Sequence, residues 1–179
     1  LTLYTFSVEN WNRPKSEVDA IMKYLACYLK KETPELDRSN VQLDAIGQIH
    51  RLPEPVQKQL EKSRQQLSKN TGLTLVLALS YGARAEIVDA SRAIAEKVQS
   101  GDLVPEEVTE TMFGMHLYTS QIPDPDLLIR TSGEMRLSNF LLWQVSYAEV
   151  VVTEALWPEF RKAAFYATLE EFAKRHRRF

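Results

Sequence analysis

One seven-residue run, Leu73-Thr74-Leu75-Val76-Leu77-Ala78-Leu79, constrains the fold more than any other part of the chain. It is nearly all apolar, so as a strand it has no face to offer water, and strands of that kind lie in parallel sheets covered on both sides. Asn70-Thr71-Gly72 precedes it as a stop signal, and Ser80-Tyr81-Gly82-Ala83-Arg84 follows it. Other strands are predicted at Leu1 to Phe6, at Val41 to Ile46 before Gly47, at Leu127 to Ile129 and at Glu149 to Glu154. A helix is predicted from Glu17 to just before Pro34, with Val18, Ile21, Met22, Leu25 and Leu29 facing inward and Cys27 as a small core residue. Further helices are predicted from Pro53 to about Lys69, through Ile87, Ala90, Ile94 and Val98 to Gly101, from Pro105 to Leu117, and from Phe160 to Phe179. This alternation implies an α/β fold, a mainly parallel central sheet with helices on both faces, formed by 179 residues as a single domain.

Composition removes several function classes. A hydrophobic fraction of 44% and a charged fraction of 26% are ordinary for a globular protein. The net charge of −2 weighs against nucleic acid as a partner, and the basic end, Lys174-Arg175-His176-Arg177-Arg178, reads as a solvated helix terminus. Cys27 is the single cysteine, so no internal disulfide and no cysteine zinc site can form. His50, His116 and His176 have no metal-ligand spacing. No apolar run reaches the ~20 residues that span a bilayer, and a cytoplasmic location is expected.

The chemistry concentrates between Ile122 and Tyr147. Leu127-Leu128-Ile129 reads as a buried strand that delivers Arg130 into the loop Thr131-Ser132-Gly133, with Arg136, Ser138 and Asn139 close behind. Guanidinium forks match phosphate oxygens and a glycine lets the backbone approach, which suits a diphosphate. The plainer reading is a surface loop whose arginines pair with Glu134. In an open α/β sheet, ligands bind beyond the carboxyl ends of the strands. Those ends are predicted at Ser7 to Arg13, Gly47 to Arg51, Ser80 to Arg84 and Arg130 to Ser138, all rich in hydroxyls, glycines and arginines. Neither a GxGxxG turn, a Walker lysine loop nor a GxSxG elbow is present, so dehydrogenase, kinase and α/β-hydrolase readings recede.

Four blocks resemble the cis-prenyltransferases, most closely the bacterial undecaprenyl diphosphate synthases: LTLYTFSVENWNRPKSEV from Leu1, GLTLVLALSYGARAEIVDA from Gly72, PDPDLLIRTSGEMRLSNFLLWQ from Pro123 and YAEVVVTEALWPEF from Tyr147. The resemblance covers essentially the whole chain in order. It implies condensation of isopentenyl diphosphate with an allylic diphosphate, farnesyl diphosphate being expected, to make a long polyprenyl diphosphate. That product would be the undecaprenyl carrier for cell-wall glycans. Magnesium, a homodimer, transient membrane contact for product release and an apolar product tunnel are implied as well. A non-catalytic partner subunit of a heteromeric synthase is the alternative.

Residue by residue, the resemblance makes Arg130, Arg136, Leu137 and Ser138 the cradle for isopentenyl diphosphate and Glu149 the magnesium ligand. Ser7, Val8, Glu9, Asn10, Trp11 and Arg13 match a mobile active-site loop, with Asn10 as proton acceptor, although an amide is a very poor base. Arg13 and Glu17 would help close the site. Leu73, Val41 and Thr5 match the tunnel floor, and Met22 and Leu25 could line its wall or simply fill core. Gly82-Ala83-Arg84 departs from the usual Gly-Gly-Arg, and Met135 stands where some relatives have histidine. The family's MDGNGRWA motif, with its magnesium aspartate and allylic diphosphate loop, has no counterpart here, and the usual Arg-Phe-Gly end stops at Phe179. The expectation is a chain trimmed at both ends and almost inactive by itself.

Overall fold

The computed structural model describes residues 1–175, so the last four residues of the predicted closing helix and most of the basic end lie outside the described residues. The backbone forms two compact units, Leu1–Gln121 and Ile122–Phe179. In the first, β1 (Thr2–Ser7), β2 (Gln42–Ile46) and β3 (Thr74–Tyr81) make a parallel sheet in the order β1-β3-β2. The apolar run is therefore the central strand, hydrogen-bonded on both edges. Val76, Ala78 and Leu79 are at most 2% exposed, as the lack of any polar face requires. Helices α1 (Lys15–Arg38), α2 (Glu54–Leu67), α3 (Ala83–Ser100) and α4 (Glu110–Gly114) complete the unit.

One core joins the sheet to α1 and α2. Phe6, Leu43, Leu77 and Leu79 pack with Val18, Met22 and Leu29 of α1 and with Val56, Leu60 and Leu67 of α2. Each such side chain stabilises the fold by about 1.5–3 kcal/mol relative to exposure. Thr33 and Ser63 are both buried and bring their hydroxyl oxygens within 2.8 Å, which registers α1 on α2.

Four expectations need correction. Helix α1 does not end before Pro34 but runs through it to Arg38. The proline removes one N–H and crowds the carbonyl four residues back, at about 3 kcal/mol. Thr33 buried before it and Leu36 packed on the core after it keep the helix going. Cys27 is exposed, because the buried stripe of α1 passes through Met22, Ala26 and Leu29 and leaves Cys27 beside exposed Tyr24 and Tyr28. The inward stripe of α3 keeps Ala90 and Ile94 but is centred on Ala83 and Glu86, with Ile87 and Val98 half-buried, because polar partners receive the Glu86 carboxylate. The predicted helix from Pro105 to Leu117 is instead a short 3-10 turn, Pro105–Glu107, followed by five-residue α4, because Val108 is extended and Thr109 caps a new start through the Met112 N–H.

The second unit pairs β4 (Leu127–Arg130) in parallel with β5 (Glu149–Val152) and adds α5 (Lys162–Ala173). All strand pairs are parallel, as expected, but hydrogen bonding groups them into a three-stranded and a two-stranded sheet. Among the described residues, no helix is long and apolar enough to cross a membrane.

Gly47 ends β2 with φ +110°, and a Cβ there would stand 2.3 Å from the Leu79 carbonyl oxygen. Both backbone conformation and space require glycine. Gly47→Ala is expected to lower unfolding free energy by about 2–4 kcal/mol in urea denaturation, from backbone strain and overpacking together.

Candidate functional site

In the first unit the strand register pairs Ser7 with Tyr81 and Ile46 with Ala78, so β1, β2 and β3 leave the sheet at one carboxyl rim. β1 passes directly into a 3-10 turn, Val8–Asn12. The Ser7 N–H donates to Oδ1 of Asn10 at 2.9 Å, so the oxygen of the expected proton acceptor already closes its own turn. Val8 is half-buried and Glu9 exposed. Trp11 lies edge-on to Phe6, with centroids 5.0 Å apart, and the Arg51 guanidinium stands 5.4 Å from its ring centre. Arg13 and Glu17 pair with each other at 2.6 Å one turn apart. Burial, then the charge of Glu9, push the Tyr4 phenol up to about 12. The turn thus has contacts within itself, with β1 and with the segment after β2.

Behind the rim lies a polar network that sequence reasoning missed. Glu86, only 1% exposed, accepts from the Tyr81 hydroxyl at 2.5 Å and from the Tyr118 N–H at 2.9 Å. Tyr118 in turn donates its hydroxyl to Asp89, which also accepts from Gln48 Nε2 at 3.0 Å. Burial and the Asp89 carboxylate push the Tyr118 phenol well above its ordinary range. Burial alone would raise Asp89, but the donors Tyr118 and Gln48 and the nearby Arg92 outweigh it and hold the carboxyl below its usual range. A glutamate at helical spacing between Ala83 and Ala90 was the available signal. A helical pattern alone does not reveal who would satisfy it.

In the second unit β4 delivers Arg130 into a tight loop. Ser132 and Gly133 take positive φ and their N–H groups donate to the carbonyls of Ala155 and Thr153 at 3.0 and 2.9 Å. Oε2 of Glu134 then receives both guanidiniums, Arg130 Nη2 at 3.2 Å and Arg136 Nη2. The plainer pairing thus exists, and it also gathers the two cations on one anionic oxygen. Nε of Arg130 is buried with no hydrogen-bond partner, a donor that water does not reach. Leu137 is half-buried, and Ser138 and Asn139 have positive φ, so the chain turns sharply just after the arginines.

Glu149 does not join them. The register sets it opposite Leu127, whereas Arg130 pairs with Val152 at the other end of the two strands. Three residues at ~3.3 Å each put about 10 Å between those ends. Its carboxylate meets Arg175 at 3.0 Å, and Arg175 also holds Glu171.

The comparisons with known proteins come down to one family. A family profile described as putative undecaprenyl diphosphate synthase matches residues 1–179. The isoprenyl transferase of Bacillus subtilis is 50% identical over all of this chain and 69% of its own length. The (2E,6E)-farnesyl-diphosphate-specific ditrans,polycis-undecaprenyl-diphosphate synthase of Micrococcus luteus is 48% identical over all of this chain and 72% of its length. The chain belongs to the undecaprenyl diphosphate synthase family. Among solved structures, lavandulyl diphosphate synthase from Lavandula x intermedia, in complex with dimethylallyl diphosphate, superimposes with a TM-score of 0.95 at 39% identity, covering 99% of this chain and 77% of that one. A probable undecaprenyl diphosphate synthase from Campylobacter jejuni gives 0.87 at 38%, covering 100% and 82%.

Two departures from the family pattern find their explanation. Ala83 is the first residue of α3 and fully buried, while Gly82 before it is extended with φ −164°, so no left-handed backbone demands a second glycine. Met135 is 89% exposed, so its side chain points to solvent. For the family's magnesium, Glu149 is a suitable hard oxygen donor, but among the described residues no group of three acids, histidines or cysteines converges.

Proposed function

We propose that residues 1–179 work as one cis-prenyltransferase domain that condenses isopentenyl diphosphate with an allylic diphosphate, farnesyl diphosphate as starter, to build the undecaprenyl carrier. One observation carries this reading within the family: Arg130 and Arg136 already share a single anionic oxygen of Glu134. A diphosphate offers the same geometry with more charge, and the unpartnered Arg130 Nε adds a donor. The two guanidiniums and the Ser138 hydroxyl hold the donor by its charged end and leave its alkene free to be aimed. The new carbon–carbon bond forms from that alkene to the allylic carbon as its bond to the diphosphate oxygen breaks, and loss of one proton leaves the new double bond.

Bound through Glu149 and the substrate's own oxygens, magnesium would neutralise charge on the departing diphosphate. Asn10 in this reading shapes the Ser7–Arg13 turn and orients substrate, since its oxygen is engaged by Ser7 and an amide makes a poor base. Leu73 and Val41 stand at the amino rim of the three-stranded sheet, one length of β3, about 25 Å, from the Trp11 rim, whereas Thr5, the third expected floor residue, lies exposed near the carboxyl rim and drops out of the floor. A tunnel floor there gives the growing chain that distance to fill. Exposed Tyr147, Leu156 and Trp157 supply apolar surface for a homodimer, and transient contact with a membrane would receive the product. Sedimentation of the full-length protein is expected to give a dimer at micromolar concentration. Monomer alone would remove this part of the proposal.

In the full-length protein, Arg130→Ala is expected to raise KM for isopentenyl diphosphate and lower kcat/KM about tenfold to a hundredfold, the loss of one charge-assisted bond worth ~1.5–3 kcal/mol. Thermal unfolding should change little, because the ion pair with Glu134 is partly exposed and Arg130 Nε makes no hydrogen bond that the substitution could remove. Incorporation of labelled isopentenyl diphosphate, resolved by thin-layer chromatography, should also stop when magnesium is chelated and return when it is restored. Unchanged kinetics in the folded variant would remove Arg130 from the site.

A further inference from the structure

The indole N–H of Trp11 donates to Oγ of Ser80 at 2.9 Å, across 69 residues of sequence. Ser80 is fully buried, so its hydroxyl has no water to turn to and the indole meets that need. Its backbone is left-handed, with φ +48°, which breaks the alternation of β3 at its last turn and redirects the side chain. Its carbonyl accepts the Gln48 N–H at 3.2 Å, so the segment after β2 fixes the same residue from the other edge. Trp11 also meets the edge of Phe6, the guanidinium of Arg51 and the hydrophobic core, and these are ring and packing contacts that tolerate sliding. The bond to Ser80 is the directional one.

We infer that Ser80 is the positioning residue of the substrate loop: its hydroxyl, aimed by a left-handed turn at the end of the central strand, fixes Trp11 and with it the Ser7–Arg13 turn. The inference rests on the prenyltransferase reading of that loop. Ser80 touches no substrate in this account and acts only through Trp11. The position asks for two properties together, tolerance of positive φ and a short oxygen acceptor. Serine adopts the backbone here and supplies the oxygen, asparagine favours positive φ and supplies one as well, and alanine lacks the oxygen.

The test is a kinetic double-mutant cycle in the full-length protein. Ser80→Ala should lower kcat/KM for the allylic diphosphate about fivefold to tenfold, the scale of one lost hydrogen bond, while KM for isopentenyl diphosphate stays within about twofold. Trp11→Phe keeps the ring contacts and deletes the donor, so it should give a similar loss, and adding Ser80→Ala to it should cost nothing more. Ser80→Asn should retain near wild-type kinetics. Fully additive losses, wild-type kinetics in Ser80→Ala, or equal rises in both KM values overturn the assignment. If Ser80→Ala does not fold, Trp11→Phe and Ser80→Asn decide the matter alone: the first must lose activity and the second must not. Absence of isoprenoid incorporation by the wild-type protein would instead sink the prenyltransferase reading itself.

Discussion

The first unit depends on a strand that cannot be left in water. β3 is apolar on both faces and hydrogen-bonded on both edges, so β1 and β2 must flank it and helices must cover it. Once it is central, the parallel register fixes where β1 and β2 end, and the rim contacts follow. Gly47 closes against the Leu79 carbonyl, Gln48 reaches Ser80, and Trp11 reaches the Ser80 hydroxyl. A burial requirement at one place thus helps to set side-chain placement at another, because close-packed interiors transmit strain.

The second unit is governed by charge. Two guanidiniums cannot share a small loop without an anion, and Glu134 supplies it. That pairing is partly exposed and worth little to stability, so the loop would give up little to a more highly charged ligand. The loop is nevertheless rigid where it must be. The N–H groups of Ser132 and Gly133 are tied to the backbone after β5, and a Cβ on Gly133 would stand 2.5 Å from Glu154 Oε2.

Much of this was legible in the sequence wherever a local rule had no tertiary competitor. The strands were bounded correctly to within about two residues because apolar runs ended at glycine, asparagine or proline signals. The pairing of Arg130 and Arg136 with Glu134 was legible because the three charges stand within one short loop, whereas their reading as a diphosphate cradle comes from the family resemblance. Pro34 was misread because a proline rule that costs about 3 kcal/mol was outweighed by the burial of Thr33 and Leu36 around it. Cys27 was misread because helical spacing gives a stripe but not its rotation, and Glu86 was passed over because its buried partners come from β3 and from Tyr118. The Trp11–Ser80 bond and the Glu149–Arg175 pair join residues far apart in sequence, so they depend on register that no local pattern encodes.

The central claim is that the arginine pair now bridged by Glu134 is a diphosphate site. A crystal structure of the full-length protein with isopentenyl diphosphate tests it most directly. The account predicts diphosphate oxygens about 3 Å from both Arg130 and Arg136, with the Glu134 carboxylate displaced from between them. A ligand seated elsewhere, with Glu134 still bridging the two guanidiniums, would contradict it.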